Sequence, residues 1–383
     1  MKTILSHGEN FKTFWAHYYV HEDTDFIKQL AKLGYRLELS NQMRNINEYD
    51  YVLFSEATSV GREYYSLNNK LKIRLGQVKY FINLCLDESF KNGVKRFLSY
   101  FKKRIFHQPN PDVKSSNSYS PTNLYKQLIT AGLKDRLAVI VFEVETHLPE
   151  NSSPKMFSMF PLVFTANDFL VDNKRILKFC YPQPVRWPKI NPVTFLKKKL
   201  LVNITSNKSM KHPLELYSVR NADIQYFSEK LPSDFDLYGF GWNEPKNIRE
   251  KIFKSSVVYY KNYKGIARNV ADIYPIYRFA LCYDNAKIPG MIYERIFQCM
   301  RSDCVPIYIG APNIKDYVDS EAFIDRRDFA TQEDLKHYLT EMSKREYKIY
   351  REAIRSYLES SKFKQFLSTS FAETIVKGLE RLV

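Results

Sequence analysis

The sequence has few cysteines and glycines and no long hydrophobic run. Its five cysteines are scattered and form no CxxC pair, so the spacing typical of a zinc knuckle or a disulfide framework is absent. Only 12 of the 383 residues are glycine, which excludes a collagen-like or Gly-rich chain. No apolar run approaches the roughly 18–20 residues of a membrane helix, and the first residues lack the apolar stretch of a signal peptide. We therefore expect a cytoplasmic protein with reduced cysteines.

Acidic residues are fewer than basic ones: the chain has 42 Asp and Glu and 58 Lys and Arg, which gives a net charge of +16. Such a charge favours anionic partners, namely nucleic acid, lipid headgroups or phosphorylated small molecules. No RRM, KH, zinc-finger or helix-turn-helix signature is present, so we expect no nucleic acid partner. Residues 91–105 have apolar positions at helical spacing among basic ones, which is typical of a helix that lies on an anionic membrane surface. A helix packed on its own domain with a solvated basic face would show the same pattern.

Helix and strand signals alternate along the chain, which predicts parallel sheets of the α/β class. Residues 179–192 contain four prolines and are typical of an extended linker between two halves. We expect a first domain over 1–185, with an insertion at about 60–135, and a second domain over 193–383 that includes the terminal helices. The favoured place for a site is then the cleft between the domains, at the carboxyl ends of the strands.

Residues 277–312 predict a strand that ends in Asp284-Asn285, a short Pro-Gly loop, a helix and a second strand. The first free N–H groups of such a helix form an anion site at the carboxyl edge of the sheet. Glu294 and Arg295 fall in its first turns, where a guanidinium can bind a phosphate bidentately. An ordinary βαβ unit with a surface Glu-Arg pair would have the same spacing.

A second basic residue stands out because it lies on an apolar helical stripe. Arg220 is four residues from both Leu216 and Ile224, so the helix should bury it. A buried cation without a partner costs several kcal/mol. Its partner is either a structural carboxylate or the phosphate of a ligand.

Two carboxylates, Glu143 and Glu145, lie at the end of the most apolar strand of the first half, predicted over 137–144. Alternation along an extended chain places Glu143 and Glu145 on the same side. Neighbouring carboxylates can raise one pKa, which suits a general base. A solvated strand end would carry the same two residues.

These segments together resemble the α-1,3-fucosyltransferase family, in particular its bacterial members. The family's donor motif runs F-x-L-x-F-E-N-x, then G-Y-V-T-E-K-I, then V-P-I-Y-W-G-x-P. This chain has FALCYDNA at 279–286, GMIYERI at 290–296 and VPIYIGAP at 305–312. The family's S-N and R-N-A elements match 206–207 and 220–222, and its E-x-E-S-P element matches 143–146.

The resemblance implies a GT-B-like architecture of two Rossmann-like domains, with the acceptor bound by the first and the nucleotide sugar by the second. It implies inverting transfer of L-fucose from GDP-fucose to a glycan hydroxyl, in lipopolysaccharide, O-antigen or other surface glycan synthesis or in protein glycosylation, with no essential metal or other cofactor. Glu143 would be the catalytic base, supported by Glu145. The donor-binding residues it implies are Ser206, Asn207, Arg220, Asn221, Tyr283, Asp284, Asn285, Tyr293, Glu294 and Arg295.

The chain departs from the family's motif at several positions. The motif lysine is Arg295, the tyrosine is Met291, the threonine is Tyr293, and the Glu of the E-N pair is Asp284. These changes keep the diphosphate site but leave the sugar open. The alternatives are a transferase for another GDP-linked sugar and a non-catalytic basic protein that binds GDP or nucleic acid.

Two patterns resemble metal sites, and we expect neither to bind a metal. Asp234-Phe235-Asp236 spells a DxD motif but leads into a predicted strand, and the family resembled needs no such motif. His17 and His21 have i,i+4 spacing but lack the glutamate of HExxH.

Overall fold

A computed structural model of the protein describes residues 1–7, 25–40, 43, 45–56, 122–245 and 258–382. Outside these ranges lie His17, His21, the basic helix expected over 91–105 and most of the insertion expected at about 60–135. The chain divides into two compact units. Unit 1 is Met1–Pro184 with Ser368–Val383, and unit 2 is Val185–Leu367.

Unit 1 is built on a six-stranded parallel sheet whose strands are short and apolar. The strand order is β2-β1-β3-β4-β5-β6, and the inner strands β3 and β4 are buried throughout. Such uninterrupted apolar runs are typical of strands covered on both faces. The strands are β1 (Lys2–His7), β2 (Tyr35–Leu39), β3 (Tyr51–Ser55), β4 (Leu137–Val141), β5 (Leu162–Thr165) and β6 (Ile176–Lys178).

The helices of unit 1 are amphipathic and bury their apolar sides on this sheet. Leu128, for example, belongs to the same core cluster as Val52 and Val139. The helices are α1 (Asp25–Lys32), α2 (Thr122–Thr130), α3 (Pro154–Ser158) and α11 (Ser368–Leu379).

Unit 2 is a second parallel sheet, of five strands in the order β11-β10-β9-β7-β8. Its strands are β7 (Lys199–Ile204), β8 (Phe235–Tyr238), β9 (Tyr277–Tyr283), β10 (Val305–Ile309) and β11 (Ile324–Asp325). Its helices are α4 (Tyr217–Lys230), α5 (Val270–Ile273), α6 (Glu294–Arg301), α7 (Ile314–Tyr317), α8 (Gln332–Glu341), α9 (Lys344–Glu359) and α10 (Ser361–Lys364). The expectation of two parallel α/β sheets is therefore confirmed.

The last helix belongs to unit 1, whereas the sequence-based boundaries placed all terminal helices in the second domain. The ring of Phe371 on α11 packs against Phe26 at 5.0 Å and Phe179 at 5.5 Å between centroids. A Cβ atom at Gly378 would stand 2.5 Å from the ring of Phe164. These contacts join residues nearly 200 positions or more apart, so the order of elements along the chain did not reveal them. The unit boundary falls within the Pro-rich stretch, between Pro184 and Val185.

Candidate functional sites

Unit 2 collects most of the expected donor-site residues at the carboxyl edge of its sheet. Parallel strands end at the same edge, so the residues that follow β7, β9 and β10 lie near one another. Ser206 and Asn207 follow β7, and Asp284 and Asn285 follow β9. Arg220 lies on α4, and Tyr293, Glu294 and Arg295 stand at the start of α6. Helix α6 begins at Glu294, after the chain has turned at Gly290, which has a left-handed φ of 74°.

Arg220 is a buried cation whose hydrogen bonds are incomplete. The residue is 2% exposed, and its guanidinium donates a long bond of 3.4 Å to the carbonyl of Ser206. Its Nε has no hydrogen-bond partner in the part of the chain that the structure describes. Burial and, to a lesser extent, the nearby charge of Arg295 lower the pKa of Arg220 to about 9. Two neighbouring guanidiniums in a poorly hydrated site favour an anionic ligand.

Arg295 stands opposite a buried carboxyl group. Its guanidinium lies 4.0 Å from Oδ1 of Asp284, which is 1% exposed. The hydroxyl of Tyr308 donates to Oδ2 of the same carboxyl group. Burial raises the pKa of Asp284 to about 7, although Arg295 and Tyr308 act in the opposite direction. Asp284 therefore changes charge near neutral pH, within reach of the arginine that would hold an anion.

Tyr283 lies beneath this edge and is fully buried. The expectation that it contacts the donor is therefore wrong for its side chain in this structure. Its hydroxyl donates to Oδ2 of Asp223 at 2.6 Å. Arg326 donates to both oxygens of Asp223, at 2.7 and 3.2 Å. The three side chains form a buried network that ties α4 to β9. Sequence reasoning missed Asp223 and Arg326, although Asp223 lies three residues after Arg220 on the buried side of α4.

The other expected donor residues flank the arginines. Asn207 is fixed by its amide, which donates to the carbonyl of Gly241 at 2.9 Å. Asn221 donates to the carbonyl of Lys208 at 3.2 Å, while its buried Oδ1 has no partner within the described residues. The backbone carbonyl of Asn285 accepts from the N–H of Leu216 at 3.0 Å.

The DxD motif is part of the fold of unit 2. Asp236 is buried in β8, where its Oδ2 accepts from Lys199 at 2.7 Å and from the Tyr277 hydroxyl at 2.6 Å. Asp234 is exposed before the strand. Among the residues described, no group of three or more His, Cys, Asp or Glu side chains could hold a metal ion.

Alternation predicts that Glu143 and Glu145 share one side of a strand, and in unit 1 this prediction is wrong. Strand β4 ends at Val141 and the chain turns, with His147 and Leu148 both donating to the carbonyl of Val144. The Glu143 side chain is 47% exposed and lies 3.7 Å from Nδ1 of His147. Glu145 is 5% exposed, and burial raises its pKa to about 8. The accessible carboxylate is thus Glu143, while Glu145 is a buried acid that is mostly protonated at pH 7.

A third carboxylate, Glu56, was missed by sequence reasoning. It follows β3, is 2% exposed and has a left-handed φ of 64°. Its Oε1 accepts from the backbone N–H groups of Phe142 and Glu143, at 2.9 and 3.0 Å. The only signal in the sequence is its place after a buried strand, next to β4 in the sheet. That adjacency is a tertiary fact, because 86 residues separate Glu56 from Phe142.

Comparisons with known proteins find similarity in the second half of the chain. Residues 196–373 match the family model described as glycosyltransferase family 10 (fucosyltransferase) C-term. An alpha-(1,4)-fucosyltransferase of Arabidopsis thaliana is 33% identical over 63 residues, which are 16% of this chain and 16% of that protein. A GDP-fucose protein O-fucosyltransferase 3 of Xenopus laevis is 34% identical over 70 residues, 18% of this chain and 15% of that protein. The matched segments thus span about a sixth of these curated relatives.

Solved structures share the fold over nearly the whole chain. An alpha1,3-fucosyltransferase with GDP has a TM-score of 0.50 at 13% identity, covering 99% of this chain and 90% of that one. A trehalose 6-phosphate synthase from Burkholderia multivorans has a TM-score of 0.52 at 11% identity, covering 100% and 98%. At such identities the likeness shows the fold alone. The chain therefore has a GT-B fold, and its residues 196–373 are similar to the C-terminal domain of glycosyltransferase family 10 (fucosyltransferase).

Proposed function

We propose that this protein transfers L-fucose from GDP-fucose to a hydroxyl group of a glycan. The observation that carries the proposal is the buried guanidinium of Arg220, whose Nε lacks a partner among the described residues, beside the second cation Arg295. A diphosphate supplies the negative charge and the acceptor oxygens that Arg220 lacks among the described residues. The family of residues 196–373 points to fucose as the sugar. The Xenopus relative is named for GDP-fucose, which suggests the nucleotide.

The proposed reaction is a single displacement that inverts the anomeric carbon. Glu143 accepts the proton of the acceptor hydroxyl while its oxygen forms the new bond to that carbon. The bond from the anomeric carbon to the β-phosphate oxygen breaks, and GDP leaves with the electron pair. The transition state has oxocarbenium character, as in glycoside hydrolysis. Arg220 and Arg295 stabilise the charge that develops on the diphosphate, which is the electrostatic contribution of this site.

The residues around the arginines have supporting roles in this proposal. Asp284 lies beside the guanidinium of Arg295, and Asn285 and Glu294 bind hydroxyls of the ribose or the sugar. Tyr283 acts from below, through the network with Asp223. The two guanidiniums supply the positive charge that a divalent metal supplies in other transferases, so we propose turnover without a metal. Activity that persists in EDTA supports this point, and activity restored only by Mg²⁺ or Mn²⁺ contradicts it.

The decisive experiment combines a donor panel with a glycan array. The purified full chain is incubated on the array with labelled GDP-fucose, GDP-mannose or UDP-glucose, and released nucleotide is measured. The proposal predicts label from GDP-fucose only, with release of GDP. Transfer from GDP-mannose instead favours a transferase for another GDP-linked sugar. GDP binding without transfer, or tight binding of random oligonucleotides, favours the non-catalytic alternative.

The cellular setting is a further part of the proposal. Glycans of lipopolysaccharide or O-antigen type are built at a membrane, and the basic segment 91–105 would hold the enzyme at its cytoplasmic surface. None of the helices in the described ranges is long and apolar enough to cross a bilayer. In liposome flotation with anionic vesicles, changing Lys95, Lys102 and Lys103 to Glu should abolish binding. Equal binding of this variant and the parent, or no binding of the parent, contradicts the membrane role.

A further inference from the structure

The backbone of Glu143 is held from both sides by two buried side chains. Its N–H donates to Oε1 of Glu56 at 3.0 Å, and its carbonyl accepts from Nδ2 of Asn151 at 2.9 Å. Glu56 and Asn151 also bond to each other, through Oε2 and Nδ2. Both are about 2% exposed, whereas the side chain of Glu143 is 47% exposed. The peptide is therefore fixed and its carboxylate reaches solvent.

The residue before Glu143 is fixed by the same arrangement. The N–H of Phe142 donates to Oε1 of Glu56 at 2.9 Å, and its carbonyl accepts from the hydroxyl of Tyr181. All four backbone polar groups of Phe142 and Glu143 are thus bonded to side chains, at the point where β4 has ended. A sheet ladder normally satisfies such groups. Here side chains that come from 30 or more residues away replace it, apart from Asn151 in the following turn.

Glu56 makes these hydrogen bonds from an unfavourable backbone conformation and from a buried position. A non-glycine residue with φ of 64° costs free energy, and such residues cluster where a precise position matters. Burial of its carboxyl group and, to a lesser extent, the nearby charge of Glu143 raise its pKa to about 8. Its three N–H donors favour the ionised form. A fold that needed only to end β4 could do so with an ordinary turn.

We propose that Glu56, with Asn151, is a positioning residue that fixes Glu143 for proton transfer. This inference rests on the proposed function, in which Glu143 is the base. A general base acts only within hydrogen-bond reach of the proton it removes, and an error of about 1 Å can cost about a hundredfold in rate. Glu56 does not touch the substrate in this proposal. It acts through the backbone of Glu143.

The test is steady-state kinetics of Glu56→Gln in the parent and in a Glu143→Gln background. The amide keeps one acceptor oxygen but sets an NH₂ group against a donor, so the arrangement loosens at nearly constant volume. We expect kcat to fall about ten- to a hundredfold, with KM for GDP-fucose within about twofold. In the Glu143→Gln background the same change should not lower the residual kcat further, because no base remains to be positioned. A general structural defect would lower it in both backgrounds.

Two further variants keep the test decisive. Glu150→Gln is the matched control, since this carboxylate lies on the same turn as Asn151 and should leave kcat unchanged. Asn151→Ala removes the bond to the Glu143 carbonyl and should lower kcat in the same way if Glu56→Gln does not fold. Parental kcat in Glu56→Gln or in a folded Asn151→Ala, with Glu143→Gln inactive, overturns the positioning role alone. Parental kcat in Glu143→Gln instead overturns the proposed base.

Discussion

Gly310 and Asp284 meet so closely that no side chain fits between them. A Cβ atom at position 310 would stand 2.2 Å from Oδ2 of Asp284 and 2.2 Å from the hydroxyl of Tyr308. Real Cβ atoms do not approach other atoms this closely, so glycine is required by space and not by a left-handed φ. The V-P-I-Y-x-G segment and the D-N segment of the sequence are thus locked together at the carboxyl edge of the unit 2 sheet.

Gly310→Ala should therefore disturb the donor site as well as the fold. Overpacking costs about 1–3 kcal/mol, and any shift of Asp284 also moves Arg295. We expect a lower Tm and GDP binding weakened about tenfold or more, measured by thermal melts and calorimetry. Gly132→Ala in unit 1 is the control, because it has a left-handed φ of 73° and no atom within 4 Å. It should lose stability without losing GDP affinity. Unchanged GDP affinity in Gly310→Ala argues against the link.

Removal of either guanidinium should weaken GDP binding. Hydrogen bonds to charged groups contribute about 1.5–3 kcal/mol each, so Arg220→Ala and Arg295→Ala should each raise the calorimetric Kd for GDP about tenfold or more. Arg345→Ala is the control, because this arginine is exposed on α9. Since Arg220 is destabilised by burial and by Arg295, Arg220→Met should also raise the Tm of the ligand-free protein. A Kd equal to the parental value in both alanine variants means that the diphosphate binds elsewhere.

Glu143→Gln should abolish most of the turnover without affecting donor binding. The amide keeps the size of the side chain but cannot accept the proton, and general base catalysis contributes about 10²–10⁴-fold. We expect kcat to fall at least about a hundredfold with unchanged GDP affinity. Glu145→Gln should lose less, because Glu145 is buried and already mostly protonated at pH 7. An inactive Glu145→Gln beside an active Glu143→Gln reverses the two roles.

Donor binding should weaken as the pH rises from 6 to 8. The pKa of Asp284 is raised to about 7, chiefly by burial, so its carboxyl group is mostly neutral at pH 6 and mostly ionised at pH 8. The ionised form repels the diphosphate and competes for Arg295. We expect GDP-fucose to bind about three- to tenfold more tightly at pH 6, since its own diphosphate diester does not titrate in this range. Asp284→Asn should bind with little pH dependence, and a parental pH profile in that variant excludes Asp284 as the cause.

Burial of Glu145 should make the stability of unit 1 depend on pH. Because its pKa is raised from 4.5 to about 8 in the folded state, folding favours the protonated form. The stabilisation is complete below pH 4.5 and is lost as the pH rises towards and through 8. Glu145→Gln removes this loss, so its Tm should exceed the parental Tm by more at pH 8 than at pH 5. A constant difference between the two Tm values at both pH values contradicts the assignment.

The sequence by itself determined the parallel α/β class and most strands of both sheets. Apolar runs such as 51–54 and 305–309 are local signals, and the strands form there because both of their faces are covered. The capping box of Thr331 and Asp334 at the start of α8 is likewise a local feature, because both residues lie within one turn of the chain. Motif spacing also predicted that Arg220, Asp284 and Arg295 belong to one site at the carboxyl edge of the unit 2 sheet. These positions are set by strand ends and helix starts, which are local features, and the three side chains do lie near one another.

Only the tertiary structure decided what lies beside these elements. Strand β4 ends at Val141 and not at 144, because Glu56, 86 residues before Phe142, accepts the next backbone N–H groups. The hydroxyl of Tyr283 turns inward because Asp223 and Arg326 meet it there. Helix α11 returns to unit 1 through Phe371. Strands β1 and β6 went unpredicted, since β1 begins exposed and β6 has three residues. For β4, Tyr283 and α11 the deciding contact joins distant parts of the chain, and hydrophobic periodicity carries no information about such pairs.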